Sequence, residues 1–188
     1  MLDRSKIVLY SGGHRGTEAE FGRQAERWGL SEVTVSYEGH AMERDRNVRQ
    51  LTEEDLRQGD VSMEIVSRHM SRTYHRADGI RRVIQSMFHV VVPAYHVFAV
   101  GWIQPDGTVK GGTGWGVELA KFFNRPVSVF DQARNDWFTW AEGHWEPDTP
   151  VIPEQPFAAT GTRQLSDEGR LAIEELFARS FGAPPVGA

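Results

Sequence analysis

Three glycine-punctuated turns, each leading from an apolar, strand-like run into a helix-like segment, confine this 188-residue chain to few folds. The first follows Ile7-Val8-Leu9-Tyr10 and reads Ser11-Gly12-Gly13-His14-Arg15-Gly16-Thr17-Glu18. The second comes after His96-Val97-Phe98-Ala99-Val100 and a short turn, and reads Gly111-Gly112-Thr113-Gly114-Trp115-Gly116-Val117-Glu118. The third, Phe157-Ala158-Ala159-Thr160-Gly161-Thr162-Arg163, also runs into a helix. Strands alternating with helices are the pattern of a parallel, doubly wound sheet. The expected fold class is α/β: a mainly parallel, Rossmann-like sheet with helices on both faces. Ligands on such sheets bind beyond the carboxyl ends of the strands, where these turns fall.

Glycine turns let backbone approach a ligand closely, and the first turn of a helix offers unpaired N–H groups to an anion. Three of them in one small domain predict a phosphate-bearing ligand, a nucleotide or nucleotide derivative. In the first turn Ser11 offers a hydroxyl and Gly12 and Gly13 bare amides. His14 and Gly16 share the turn, Arg15 can clamp phosphate oxygens, and Thr17 can cap the helix or bond a phosphate. The second turn, with Gly111, Gly112, Thr113, Gly114 and Trp115, fits G-G-x-G-x-x-x-E. Its Glu118 lies one helical turn past Gly114 and reads either as a base or ribose-hydroxyl acceptor, or as a solvated surface glutamate. The third turn brings Gly161, Thr162 and Arg163 to a strand tip. Asp131 and Gln132 end the strand Val127-Ser128-Val129-Phe130, and Asp131 is placed to hold a ribose hydroxyl or, as the second choice, a magnesium-bound water.

Neither G-x-G-x-x-G nor the P-loop G-x-x-x-x-G-K-[ST] is present, so an ordinary NAD or ATP site is disfavoured and no cofactor is expected. The seven histidines show neither H-x-x-x-H nor H-E-x-x-H, and there is no cysteine, so no metal site is expected either. A formal net charge of -5 argues against a broad nucleic-acid-binding face. The densest basic cluster is Arg68, Arg72, Arg76, Arg81 and Arg82. No apolar stretch is long enough to span a membrane, and a cytoplasmic location is expected.

The length suits one domain spanning 1–188. Helices are expected from Glu18 to Trp28, from Thr52, from Asp60 to Arg72, and from about Asp78 to Val91. The polar stretch 38–47 reads as a mobile loop beside the first turn. The helical insert at about 48–92 is large for a simple crossover and is a candidate flap or homodimer surface. Asn135 to Trp145 carries four aromatic side chains in Trp137, Phe138, Trp140 and Trp145. It reads first as a covering hairpin or helix and second as an aromatic wall for a base. Four prolines mark an extended linker at about 147–156, and the tail 183–188 is expected to fray.

These motifs together resemble the SLOG superfamily of Rossmann-like nucleotide-binding proteins. Ser11-Gly12-Gly13-His14-Arg15-Gly16 resembles the S-G-G-A-x-G turn of the DNA-processing protein A family. Gly111 to Glu118 resembles the P-G-G-x-G-T-x-x-E motif of the cytokinin-activating phosphoribohydrolases. Phe157 to Arg163 resembles the G-S-R turn that normally comes first in such domains, so the chain reads like a permuted version of the same sheet. The order Y-S-G-G, G-G-T-G-W, V-F-D-Q, G-T-R is similar to that of an uncharacterised bacterial and phage subfamily. The likeness covers roughly 5–132 and 156–182. Lys110 stands where the phosphoribohydrolase motif has proline, and Trp115 where it has threonine. That family also implies a catalytic arginine on the preceding helix, for which Arg81 and Arg82 are candidates, with Gln85 the alternative.

The resulting expectation is a nucleotide binder, acting as a sensor or sequestering protein. The alternative is a hydrolase of the N-glycosidic bond of a nucleoside phosphate, with Glu118 and Arg82 catalytic. A DNA-interacting module is the third class.

Overall fold

In a computed structural model, which describes residues 3–74 and 78–185, the strands assemble into one eight-stranded sheet. They are β1 (Val8–Ser11), β2 (Ser31–Ser36), β3 (Val48–Gln50), β4 (His96–Gly101), β5 (Val127–Asp131), β6 (Asp136–Ala141), β7 (His144–Pro147) and β8 (Phe157–Gly161). The order is β3-β2-β1-β8-β4-β5-β6-β7. All pairs from β3 to β5 are parallel, whereas β6 and β7 form an antiparallel hairpin at one edge. This is the expected doubly wound α/β class.

Side-chain alternation along the strands sends residues to two cores. On β4, Phe98 and Val100 face one core while Val97 and Ala99 face the other. The first core lies under α1 (Thr17–Arg27) and α6 (Asp167–Phe181), where Phe21, Trp28, Phe157 and Phe177 are fully buried or nearly so. The second lies under α3 (Asp60–His69), α4 (Asp78–Val91) and α5 (Thr113–Phe122). Ser166 caps α6 by accepting from the Gly169 N–H at 3.0 Å. A short helix, α2 (Glu53–Arg57), carries a full capping box between Thr52 and Asp55.

The connection β1–α1–β2 winds the chain one way from the centre, and β4–α5–β5 winds it the other way. Between β1 and β4 the sheet changes direction, and β8 fills that gap. Such a switch point opens a crevice at the carboxyl ends of the strands.

Several segments differ from the sequence expectation. The region 48–92 is not wholly helical, because β3 opens it as a parallel edge strand against β2. Its three residues are all exposed and show no apolar alternation, so only the pairing with β2 defines it. The stretch 38–47 is tied down: Glu43 and Arg44 N–H groups donate to Gly13 O at 2.9 and 3.0 Å, and Arg44 pairs with Glu32 and Glu26. The Trp-rich segment forms the β6–β7 hairpin, turning at Glu142 and Gly143, both with positive φ. The proline-rich stretch packs on α6, with Ile152 buried and Arg179 donating to Pro150 O at 2.6 Å. Of the tail expected to fray, residues 186–188 lie outside the described residues; Gly182 O accepts the Trp28 indole N–H at 3.0 Å.

Candidate functional site

A cleft of about 400 Å³ opens at the carboxyl ends of β1, β8 and β4. The second glycine turn supplies one rim through Lys110, Gly111, Gly112 and Thr113, and the third supplies the other through Thr160, Gly161, Thr162 and Arg163. His14 and Glu18, from the first turn and α1, form the inner wall, and Val83 and Met87 of α4 the roof.

The glycines do two different jobs here. A Cβ on Gly161 would come within 2.6 Å of Thr17, and one on Gly16 within 2.6 Å of Thr162 O. These two turns are therefore pressed against each other. Thr17 donates from both N–H and Oγ1 to Thr162 O, at 3.1 and 2.9 Å. Gly13 passes against the Arg44 carbonyl with φ +66, and Gly114 against the Val109 carbonyl and the Arg72 guanidinium. By contrast Gly111 and Gly112 face open space, with nothing near enough to touch an added Cβ. Among the described residues, the N–H groups of Gly111, Gly112 and Thr113 have no intramolecular acceptor, and no side chain caps α5. The free end of α5 is thus the anion-attracting edge of the cleft.

The N-terminus of α1 behaves differently, because the chain supplies its own anion there. The Glu18 carboxylate is buried and accepts from the His14 N–H at 2.9 Å and from His14 Nδ1 at 2.6 Å. Ser11 Oγ accepts the Gly13 N–H at 3.2 Å. His14 Nε2 in turn meets His40 Nε2 at 2.9 Å, and His40 stacks on Tyr37 with ring centroids 4.6 Å apart. Burial opposes protonation of His14, but the adjoining Glu18 carboxylate outweighs it and raises the imidazole above its usual range. Burial would likewise raise Glu18; the His14 charge and hydrogen bonds hold it below the ordinary carboxylate value. Burial and the neighbouring His14 push His40 down to about 4. Burial raises Tyr37 to about 12.

The structure brings together His14, Gly111, Gly112, Thr113, Gly161, Thr162 and Arg163 around the cleft. Other residues expected at the site stand elsewhere. Arg15 is exposed and does not line the cleft. Glu118 turns away from it and pairs with Lys121 at 2.7 Å; the Lys121 ammonium sits 3.5 Å from the centroid of Trp140 and 4.9 Å from that of Trp145. Four residues past the N-terminal glycines, the helical turn carries its side chain over the β6–β7 hairpin instead of the strand tips. Arg82 pairs with Glu53 at 2.7 Å and donates to Glu38 O at 3.2 Å, outside the cleft. Asp131 is buried under its own turn, accepting from the Ala133 N–H. Gln132 bridges Gln164 O and the Ser166 N–H, which fastens the start of α6. Gly12 lies beneath the cleft beside His14, where an added Cβ would crowd the imidazole and Glu18. Trp115 is buried, 6.2 Å from Tyr74 between ring centroids, and lines a neighbouring groove.

Sequence reasoning missed Glu18 and His40 as site residues, as well as Lys110, Val83 and Met87. The spacing of four from His14 to Glu18 at a helix start was a usable signal for the first pair. Nothing in the local sequence marks His40, which reaches His14 only because Arg44 pins the loop.

Of the basic cluster, Arg76 lies outside the described residues. Arg72 holds the second turn from below, donating to Gly111 O and Val109 O at 2.9 Å each. Arg81 pairs with Asp60 at 2.8 Å and Arg68 lies 3.8 Å from Glu64. Among the described residues no group of His, Asp and Glu side chains is arranged to hold a metal ion, and no helix is long and apolar enough to cross a membrane.

A mainly parallel α/β sheet with a cleft at its switch point defines the class of protein. No family model and no curated protein matches the sequence. Among solved structures, the chain is similar to a candidate molybdenum carrier protein of Syntrophus aciditrophicus, with a TM-score of 0.51 and 13% identity. The likeness covers 92% of this chain and 95% of that one. At that identity what is shared is the fold.

Proposed function

We propose that the cleft binds a nucleotide or nucleotide derivative by its phosphate, and that the chain acts as a sensor or sequestering protein of the SLOG type in a single domain. The observation that carries this reading is the convergence of two cationic side chains, Lys110 and Arg163, beside the Glu18-paired His14, on the same hollow as the free N–H groups of Gly111 to Thr113. Unpaired backbone donors and cations around a hollow of this size suit an anionic group on a larger organic molecule. The name of the Syntrophus protein concerns a small cargo, which agrees with a carrying or sensing role and makes molybdate a necessary control.

A second reading is hydrolysis of the N-glycosidic bond of a nucleoside phosphate. The buried Glu18–His14 pair favours it, because a hydrogen-bonded carboxylate and imidazole at a cleft wall can pass a proton. In that reaction water would form the new bond to the ribosyl carbon, and the proton it loses would reach the departing base through the Glu18–His14 pair. The role assigned to Glu118 in the sequence reading would pass to Glu18.

Native mass spectrometry of freshly purified protein, followed by calorimetric titration with nucleotides, inorganic phosphate and molybdate, tests the first reading. A retained nucleotide or preferential nucleotide binding supports it; binding of molybdate alone rejects it. Release of free base from nucleoside monophosphates, lost in Glu18→Gln, supports the second.

A further inference from the structure

On the far side of the Lys110–Gly112 loop lies a second open groove, of about 540 Å³. One wall is an apolar stripe on α4, Ile80, Val83 and Met87, spaced by three and four so that they share a helix face. Trp115 forms part of its floor. Ile80 is 52% exposed, which leaves an isoleucine facing water at the lip of the hollow. Val83 and Met87 line both hollows, and Lys110, Gly111 and Gly112 are their common rim. A molecule with its anionic end in the cleft can therefore lay its other end in the groove without a break in contact.

The groove also carries two oriented polar groups, Arg72 and Gln104. Gln104 Oε1 accepts from Arg72 Nη2 at 3.0 Å, while the single Thr108 hydroxyl proton goes to Asp106 Oδ1 at 2.7 Å. That bond from Arg72 fixes which end of the amide is which, and among the described residues the Nε2 donors have no protein acceptor. An apolar α4 wall with the fixed Gln104 donors beside it fits a flat, aromatic ring that carries an acceptor on its edge. An oxoanion or a bare sugar phosphate would leave the α4 stripe wet, and a hydrocarbon chain would leave the Gln104 amide unused.

The geometry points to this groove as the nucleobase subsite of the ligand whose phosphate occupies the cleft, with the ring against the α4 stripe and its edge read by Gln104. This assignment rests on the phosphate-binding reading above. It makes the helical insert the element that chooses the base, while the glycine turns hold the phosphate.

The test is calorimetric titration of the full chain with AMP, GMP, CMP and UMP against ribose 5-phosphate. At least one nucleotide is expected to bind roughly tenfold or more tightly than ribose 5-phosphate. Ile80→Asp, at an exposed position that the fold tolerates, is expected to erase that ratio while ribose 5-phosphate affinity stays within about twofold. Gln104→Leu is expected to change the ranking of the four bases. If ribose 5-phosphate binds as tightly as every nucleotide, the base subsite is overturned while the phosphate cleft stands. If neither ribose 5-phosphate nor any nucleotide binds, the phosphate reading itself fails and takes the subsite with it.

Discussion

His14 and His40 face each other through their Nε2 atoms at 2.9 Å, across 26 residues of sequence. Only one of the two nitrogens can donate in such a contact. The Glu18 carboxylate on His14 Nδ1 favours a fully protonated His14, so His14 donates and His40 accepts. His40 then keeps its proton on Nδ1, directed at Ser36 Oγ 3.2 Å away. Two adjoining histidines are thus biased in opposite directions, and the one biased toward protonation is the one that lines the cleft.

The two rings should pull stability in opposite directions with pH. His14 is raised in the folded state, so its contribution is complete below the unfolded value near 6.5 and is lost as pH rises through the folded value. His40 and His96 are lowered to about 4, so theirs is complete above 6.5 and is lost as pH falls toward 4. His96 is the cleaner probe, because burial lowers it and it stands on β4 bonded to Ser128 Oγ at 2.9 Å. Between pH 7 and 5 it should cost wild type about 2 kcal/mol. Urea denaturation at both pH values should show that loss reduced in His96→Gln; an undiminished loss would place the acid sensitivity elsewhere.

Arg163 and Arg15 should part company in binding. Arg163 lines the cleft, whereas Arg15 does not. Arg163→Ala is expected to weaken nucleotide binding by about 1.5–3 kcal/mol, the scale of a charge-assisted hydrogen bond, and Arg15→Ala by less than about 0.5. Calorimetry on both variants checks this, and equal losses would mean that the ligand reaches beyond the cleft.

Glu118→Gln should act on stability and not on the ligand. Burial lowers the Lys121 pKa and the Glu118 carboxylate opposes that effect, so removing the carboxylate leaves a buried ammonium against two indole rings. A loss of roughly 1–3 kcal/mol in unfolding free energy is expected, with nucleotide affinity unchanged. A large fall in affinity without loss of stability would restore Glu118 to the site.

Two neighbouring glycines separate packing from ligand approach. Gly114→Ala drives a methyl into the Val109 carbonyl, so a loss of about 2–4 kcal/mol is expected. Gly112→Ala meets nothing in the free protein and keeps a helical φ of -62°, so thermal stability should barely move. If a ligand phosphate rests on that backbone, the same methyl should weaken binding by roughly tenfold. Unaltered binding in Gly112→Ala would show that the phosphate does not lie against this residue.

Strand–helix alternation made the sheet legible, because apolar runs such as 96–100 and glycine turns are local signals. The residues gathered at the second and third turns were legible for the same reason. Asp131 and Gln132 sit at a strand tip as expected, but local turns consume their side chains. Glu118 misled because periodicity fixes its turn of helix without fixing the azimuth relative to the sheet. His40 and Lys110 were illegible for a different reason: neither belongs to a periodic element, and their positions depend on Arg44 and Arg72 reaching across from other segments. β3 escaped notice because three exposed residues carry no pattern.

β8 pairs with β1 through Leu9 and Phe157, which stand 148 positions apart, and with β4 on its other side. Until that strand inserts, β1 and β4 have no ladder between them and Thr17 has no Thr162 carbonyl to hold. Such long-range closure carries a loop-entropy cost that delays it relative to the local units. The β1–α1–β2 and β4–α5–β5 halves can therefore form early as separate lobes, whereas the cleft exists only once the keystone strand locks them. A chain stalled before that point would expose two half-sheets with open edges, so pulse-labelling hydrogen exchange should find β8 and the flanking edges of β1 and β4 acquiring protection together and late.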